Sequence, residues 1–384
     1  MWAGHPWVYA QAIGRLEGSP EAGDVVEVVD PEGRFQGRGF WSPGSAIPVR
    51  LLTRRPDEPL DEALLETRVA AAAARRARLL GLPSADTDGF RLVHAEGDAL
   101  PGLVADRYGD TACAQLLTHG TKRREEAVFD ALAALPGIER VIEVAAGEAQ
   151  RREGIEAATR VVRGAAAEPV ELVFRERGFR FRVPLGLAQK TGYYFDQREN
   201  RGRVEELARG RSVLDACTYL GGFALAAARG GARSVVAVDR AEGVLAAARV
   251  IAEENGFGDA IAWRTGDVRR DLGRWADAGE RWELVVLDPP KLAPTLRHVE
   301  RARSAYEGLN AAALRLVAPG GVLATCSCSA ALGPEELLRI VAVAARRVGR
   351  RVDVLAIGGQ APDHPTPAAF PEGRYLTCAF VAVE

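Results

Sequence analysis

The sequence predicts an α/β protein: a C-terminal, doubly wound, Rossmann-like domain preceded by a small β domain and a central α+β domain. Three observations carry this reading. Beyond Asn200, strand candidates alternate with helical stretches at the spacing of β-α units, which build a mainly parallel sheet. The first 56 residues are instead rich in Gly, Pro, Val and Arg, with short strand candidates between turn sequences. Between the two lies a stretch of mixed periodicity that opens on a long helix. The corresponding division is 1–56, 57–184 and 185–384.

In the first segment Val25–Val29 and Pro48–Leu52 read as strands, with turns at Asp30-Pro31-Glu32-Gly33 and Pro43-Gly44. Pro59–Leu82 reads as a helix whose apolar side carries Leu60, Leu64, Val69, Leu79 and Leu80. In the central segment Val93–Val104 and Ala112–Leu117 read as strands, Arg123–Leu135 as a helix, and Val170–Val183 as a hairpin turning near Arg177-Gly178. The C-terminal strand candidates are Ser212–Asp215, Ser234–Asp239, Ala260–Arg264, Glu283–Asp288, Val322–Cys326, Arg351–Ile357 and Leu376–Val383.

With 47% hydrophobic and 27% charged residues the chain is not largely disordered. A formal net charge of -2 gives no overall pull on nucleic acid and leaves that role to local patches. Lysine occurs only at Lys122, Lys190 and Lys291, so arginine carries nearly all the positive charge, as a GC-rich genome would produce. Candidate RNA-gripping runs are Arg34, Arg38 and Arg50 with Arg54-Arg55, and Lys122-Arg123-Arg124. Five scattered cysteines make no disulfide framework, and no metal site is expected. No signal-peptide pattern opens the chain, and the longest uncharged stretch, Leu316–Pro334, is broken by glycines, prolines and hydroxyls. A cytoplasmic protein with reduced thiols and no membrane span is expected.

Chemistry concentrates at the ends of the C-terminal strands. The first ends in Asp215-Ala216-Cys217-Thr218-Tyr219-Leu220-Gly221-Gly222-Phe223, where two glycines let a ligand approach the backbone. It is neither a GxGxxG nor a Walker loop, so a pyrophosphate is disfavoured, and a carboxylate at its head suits a ligand with an ammonium group. Asp239 ends the second strand, where an acid accepts from ribose hydroxyls, and Asp267 follows the third, where an acid holds an adenine amino group. Taken singly, each is also a helix N-cap. Together they describe a site for S-adenosylmethionine. The fourth strand delivers Asp288-Pro289-Pro290-Lys291, a rigidly held acid, and the fifth ends in Cys326-Ser327-Cys328. In an extended run the two cysteines point the same way, and their residue types leave nucleophile and buried filler both open.

The segment Lys190 to Arg201 (KTGYYFDQRENR), the 215–223 loop, Asp288-Pro289-Pro290-Lys291, Ser327-Cys328-Ser329 and Asp363-His364-Pro365 occur in this order. With His5-Pro6-Trp7-Val8-Tyr9 and the stretch Leu92 to Arg107, they resemble the bacterial 23S ribosomal RNA cytosine-5 methyltransferases with an N-terminal PUA domain. The resemblance covers nearly the whole chain. It implies a PUA-like RNA-binding domain over 1–56, a class I methyltransferase domain over 185–384, and S-adenosylmethionine as cofactor. The implied partner is 23S RNA, naked or in a partly assembled large subunit, and a homodimer is among the expectations. It also implies Cys328 as covalent nucleophile and Asp288 as its catalytic partner. Cofactor contacts are expected from Asp215, Tyr219, Gly221, Gly222, Phe223, Asp239, Asp267 and Gln197. Substrate contacts are expected from Lys190, Tyr194, Arg198, Pro289, Pro290 and Lys291. Cys326 falls where the family varies and receives no catalytic role.

Two departures stand out. The chain starts four residues before His5, so either the start codon is misplaced or the first PUA strand is absent. Leu292 replaces an aromatic residue, which shifts the expected base-stacking surface to Tyr193, Tyr194 or Phe195. His94 and Glu96 read as structural, Asp363-His364-Pro365 as pocket rim, and the helix start near Pro334 as an aid to ionising Cys328. The competing readings are methylation of an exocyclic amino group such as guanine N2, a small-molecule methyltransferase, and a non-catalytic RNA-binding or ribosome-assembly factor.

Overall fold

The computed structural model describes residues 4–156, 158–166, 170–291, 299–329 and 332–384. It forms two compact units, Met1–Phe195 with Pro362–Gly373, and Asp196–Ala361 with Arg374–Glu384. The boundary thus falls inside the 190–201 motif, eleven residues beyond the sequence division at 184, and 362–373 joins the first unit rather than the C-terminal domain.

In the first unit β1 (Trp7–Val8), β2 (Val25–Val29), β3 (Phe35–Trp41) and β4 (Val49–Thr53) make an antiparallel sheet in the order β1-β4-β3-β2. The segment implicated in the missing first strand precedes His5, and residues 1–3 lie outside the described residues. α1 (Glu62–Leu80) starts at Asp61, whose carboxylate accepts from Leu64 N, and stops at Gly81 in the left-handed region. Its buried face is Leu65, Val69, Ala72 and Arg76, while Leu79 is 64% exposed. Of the expected apolar stripe, Leu60 and Val69 are in the core and Leu64 and Leu80 pack against it; only Leu79 faces out, and the buried Arg76 takes a core position that the stripe did not include.

β5 (Gly89–His94), β6 (Leu103–Tyr108) and β7 (Thr111–Leu116) are followed by α2 (His119–Lys122), α3 (Glu125–Ala133), β8 (Arg140–Glu143), α4 (Glu148–Glu153) and β9 (Arg160–Arg163). The sheet runs β5-β6-β7-β8-β9. The single strand expected over 93–104 is instead two strands joined by a turn, with Ala95 and Ala99 at φ 39 and 55. Asp98 drives the turn: it accepts from His94 N at 2.7 Å and from Arg76 Nη1 at 2.5 Å. The helix expected over 123–135 is α3, which starts after its N-cap Arg124 and ends at Ala133. β10 (Glu171–Glu176) and β11 (Phe179–Pro184) form the expected hairpin.

Segment 362–373 is held by buried bonds within this unit. Arg91 N donates to Asp363 Oδ2 at 2.8 Å, and Arg76 Nη2 donates to the Asp363 carbonyl at 2.7 Å. Gly97 lies so close beneath that a Cβ would sit 2.0 Å from the Pro365 carbonyl oxygen. The His5-Pro6-Trp7-Val8-Tyr9 motif packs on the same segment: Trp7 meets Phe370 at 4.6 Å, and Tyr9 donates to Glu372 at 3.1 Å.

The second unit contains α5 (Arg198–Leu207), β12 (Ser212–Ala216), α6 (Gly222–Arg229), β13 (Ser234–Asp239), α7 (Glu242–Glu254), β14 (Ile261–Thr265) and α8 (Val268–Asp277). It continues with β15 (Trp282–Leu287), α9 (Val299–Leu316), β16 (Val317–Ser327), α10 (Pro334–Arg347), β17 (Val352–Gly358) and β18 (Thr377–Val383). The seven-stranded order is β14-β13-β12-β15-β16-β18-β17. All neighbours from β14 to β16 are parallel; β18 is antiparallel to both β16 and β17. The sheet core is apolar on both faces, with Leu214, Val285, Leu287, Leu323 and Val381 at its centre. Chain order reverses between β12 and β15, and ligands of such sheets bind beyond the carboxyl ends of the strands at that reversal.

Candidate active site

Asp215 lies on β12 at this reversal and is fully buried. Its Oδ2 accepts from Thr218 Oγ1 at 2.5 Å and Ala224 N at 3.0 Å, whereas Oδ1 is buried with no hydrogen-bond partner. Burial pushes its carboxyl up to about 7; the two bonds to Oδ2 oppose the rise, and nearby Asp288 and Asp239 add to it. The loop after β12 is strained, with Cys217 and Tyr219 at φ 68 and 51. Gly221, at φ 80, relieves it, and a Cβ there would come within 2.9 Å of the Trp263 ring.

Asp239 Oδ2 accepts from Tyr219 N at 3.1 Å and Oδ1 from Ala241 N at 3.0 Å, so the acid fixes the loop while each oxygen retains a lone pair. Asp267 is the N-cap of α8, accepting from Arg269 N. The capping reading of that acid therefore holds in the structure. Burial, then Asp288, Asp239, Asp215 and Asp267 in turn, raise the thiol of the half-buried Cys217. An unsatisfied buried carboxylate oxygen at the head of a glycine turn, followed by acids on the next two strands, fits a nucleoside bearing an ammonium group.

Asp288 follows β15, and its Oδ2 accepts from Gln197 Nε2 at 3.0 Å. Gln197 Oε1 accepts from Asn200 Nδ2 at 2.6 Å. Gln197, expected among the cofactor residues, is thus bonded to the acid of the fourth strand. Pro289 is buried, and Pro290 and Lys291 are exposed; Leu292 lies outside the described residues. β16 ends at Ser327, which separates the two cysteines expected to point together. Cys326 is fully buried, paired in register with Cys378 on β18, and its thiol is pushed well up by burial and then by Cys378. Cys328, one residue past the strand, is half-buried.

Other expected site residues lie elsewhere or inside. Arg198 is 6% exposed on α5, too buried to present itself to a large substrate without movement. Phe223 and Tyr219 are buried, and Gly222 opens α6. Lys190 and Tyr194 belong to the first unit, where Lys190 Nζ stands 4.4 Å over the Tyr194 ring. Tyr193 and Phe195 are core residues of an aromatic cluster with Phe174, so only Tyr194 of the three stacking candidates is partly exposed. Asp363 and His364, expected at a rim, are buried because Asp363 ties to Arg91.

The arginine runs are already engaged internally. Arg34 pairs with Asp30 and Glu32, Arg38 with Glu27, Arg50 with Glu153, Arg55 with Asp57, Lys122 with Glu125 and Glu143, and Arg123 with Asp24. Arg54 donates to the His5 carbonyl, and Arg124 to the Gly23 carbonyl. His94 and Glu96 also serve internal bonds: His94 Nδ1 accepts from Arg91 at 2.9 Å, and Glu96 accepts from Trp7 Nε1 at 2.7 Å.

One residue that motif spacing did not single out belongs to the site: Thr218, through its bond to Asp215. Among the described residues no group of three or more His, Cys, Asp or Glu is placed to hold a metal ion, and no helix is long and apolar enough to cross a membrane.

The S-adenosylmethionine-dependent methyltransferase family matches residues 143–369, and the PUA-like domain family matches residues 1–54. Fold and site together define a methyltransferase that uses S-adenosylmethionine. A protein named ribosomal RNA large subunit methyltransferase I from Aeromonas salmonicida is 37% identical over 374 residues, covering 97% of this chain and 93% of its own. Its namesake from Shewanella denitrificans is 36% identical over 375 residues, covering 97% and 94%. The chain belongs to the family of these proteins. A solved methyltransferase complexed with SAH superimposes with a TM-score of 0.85 at 18% identity, covering 99% of this chain and 96% of that one, and shares the fold.

Proposed function

We propose that the protein methylates carbon 5 of a cytosine in large-subunit ribosomal RNA, with Cys328 as covalent nucleophile. The RNA class follows the names of its relatives, and the 1–56 segment is its PUA-like RNA-binding part. One observation carries the chemistry. A half-buried thiol stands past the end of β16, next to the strand that delivers Asp288, while the neighbouring Cys326 is sealed in the core.

S-adenosylmethionine, when bound, supplies a methyl group on a positively charged sulfur. Asp215 Oδ1 would hold its ammonium group, Asp239 its ribose, and Asp267 its adenine amino group. Cytosine C5 is a weak nucleophile. The Cys328 thiolate forms a bond to C6, and the electron pair of the C5–C6 double bond becomes available at C5. Asp288, oriented by Gln197, holds N3 and stabilises the shifted charge. After C5 is methylated its proton passes to a base, the C5–C6 double bond re-forms, and the C6–S bond breaks to release Cys328. A base in folded RNA must leave its stack to reach such a pocket, which favours a loop or an opened junction as target.

The test is bisulfite mapping of ribosomal RNA from cells carrying wild type or Cys328→Ala. One methylcytosine present with wild type and absent with the variant is expected. A methylcytosine undiminished in Cys328→Ala would remove Cys328 as nucleophile, and the absence of any methylcytosine dependent on the wild-type protein would overturn the cytosine reading in favour of methylation of an exocyclic amino group.

A further inference from the structure

At the carboxyl end of β14, Arg264 and Thr265 stand in register beside Val238 and Asp239 of β13. With α8 they line an open cleft of about 400 Å³, whose other walls include Arg270, Asp271, Arg274 and Trp275. None of the lining residues is among those expected to hold the cofactor. Arg270 and Arg274 are four residues apart on α8 and so share a face. Both reach one carboxylate: Arg270 Nε donates to Asp271 Oδ1 at 2.9 Å, and Arg274 Nη1 donates to the same oxygen at 3.3 Å. Asp271 is 9% exposed and also accepts from Asp267 N at 2.8 Å. The two arginines are 68% and 72% exposed, so the cleft presents guanidinium rather than carboxylate. The third, Arg264, donates to Glu280 at 3.0 Å and lies 4.8 Å over the half-buried Trp275 ring. Three guanidiniums against two carboxylates leave a positive charge over, and pairs this exposed are weak enough for a phosphate to displace.

We propose that this cleft is an RNA-binding site on the methyltransferase unit and takes one nucleotide of a single strand, the phosphate on Arg270 and Arg274 and the base on the Trp275 ring. The inference rests on the proposed RNA substrate and not on the role of Cys328. A planar, forked guanidinium matches the oxygens of a phosphate, and an indole stacks on any base without selecting among them. An open trough suits a strand that enters and leaves, whereas a free nucleotide is held in a pocket that encloses it. The site lies one strand beyond Asp239, at the same edge of the sheet. It therefore adds to the PUA-like domain a grip on the unit that carries the cofactor acids, and that grip is indifferent to base sequence.

The test is binding of transcribed 23S RNA and of a short oligouridylate to the full-length protein over a range of salt. Arg270→Gln combined with Arg274→Gln should make the slope of log affinity against log salt shallower by about one to two. Trp275→Leu should weaken oligouridylate binding roughly tenfold. Melting temperature and S-adenosylmethionine binding by calorimetry check that the variants are folded. The Trp275 ring packs on the sheet core, so should Trp275→Leu not fold, the exposed arginine pair decides. Cross-linking of 4-thiouridine-substituted 23S RNA should mark the peptide spanning 264–278. Arg346→Gln combined with Arg347→Gln, exposed on α10, is the control for overall charge. An unchanged slope in the cleft variant, an equal change in the control, no cross-link within 264–278, or uridine monophosphate competing as well as the oligomer overturns the inference. A wild-type protein that binds no 23S RNA brings down the RNA substrate itself.

Discussion

Asp215 shows how a single residue can be kept at the expense of stability. In the unfolded chain its carboxyl titrates near 4; in the folded protein burial moves it up to about 7. The native state therefore binds this proton more tightly, and the contribution of Asp215 to stability declines as pH rises from about 4 to about 7, with its full cost present above that. Asp215→Asn should accordingly melt higher than wild type at pH 8, show little gain at pH 4, and lose most S-adenosylmethionine affinity. Thermal melts and calorimetry on the ligand-free protein check all three, and unchanged affinity would remove Asp215 from the cofactor site. Asp267 has two roles to separate. Asp267→Ser keeps an N-cap, so stability should change by less than about 0.5 kcal/mol. Its shorter side chain should still weaken cofactor binding if the acid also reaches the adenine, and equal affinity would leave capping as its role.

At the scale of elements, the buried Arg76–Asp98 pair turns the chain after β5 and helps to hold segment 362–373. Asp98 would keep Arg75 at 3.2 Å and His94 N at 2.7 Å, so Arg76→Met should cost less than the roughly 3–5 kcal/mol of a fully stranded buried charge. Hydrogen exchange should quicken first in 362–373, and a uniform increase across the first unit would show that the pair does not act on that segment. The same pair explains where reading the sequence succeeded and where it did not. The β-α alternation after Asn200 was legible because buried parallel strands are continuous apolar runs flanked by helices, and every strand candidate there meets an observed strand. β3 was not, because Gly37 and Gly39 dilute its pattern. On α1 only Leu79 was misplaced and Arg76 missed, because a charged side chain with its partners satisfied can fill a core position. Four strand-end acids could be found from spacing alone. The separate fates of Cys326 and Cys328 depend on where β16 stops.

At the scale of the whole molecule, a net charge of -2 leaves RNA contacts to local patches, and Arg34, Arg55 and Arg123 stay more than half exposed in weak surface pairs, whereas Arg50 is largely buried. Arg50, bonded to Glu153 at 3.1 Å, ties β4 to α4. Arg50→Ala should therefore lower the melting temperature while leaving the slope of log affinity against log salt for RNA unchanged. A slope shallower by about one would instead make Arg50 a phosphate contact.

β18 lies between β16 and β17 rather than at an edge. A nascent polypeptide that has not reached residue 377 therefore leaves the flank of β16, the strand that ends next to Cys328, unzipped. Translation that stops short of that residue would release sticky, sheet-seeking fragments instead of a crippled enzyme, so quality control has a reason to remove them quickly.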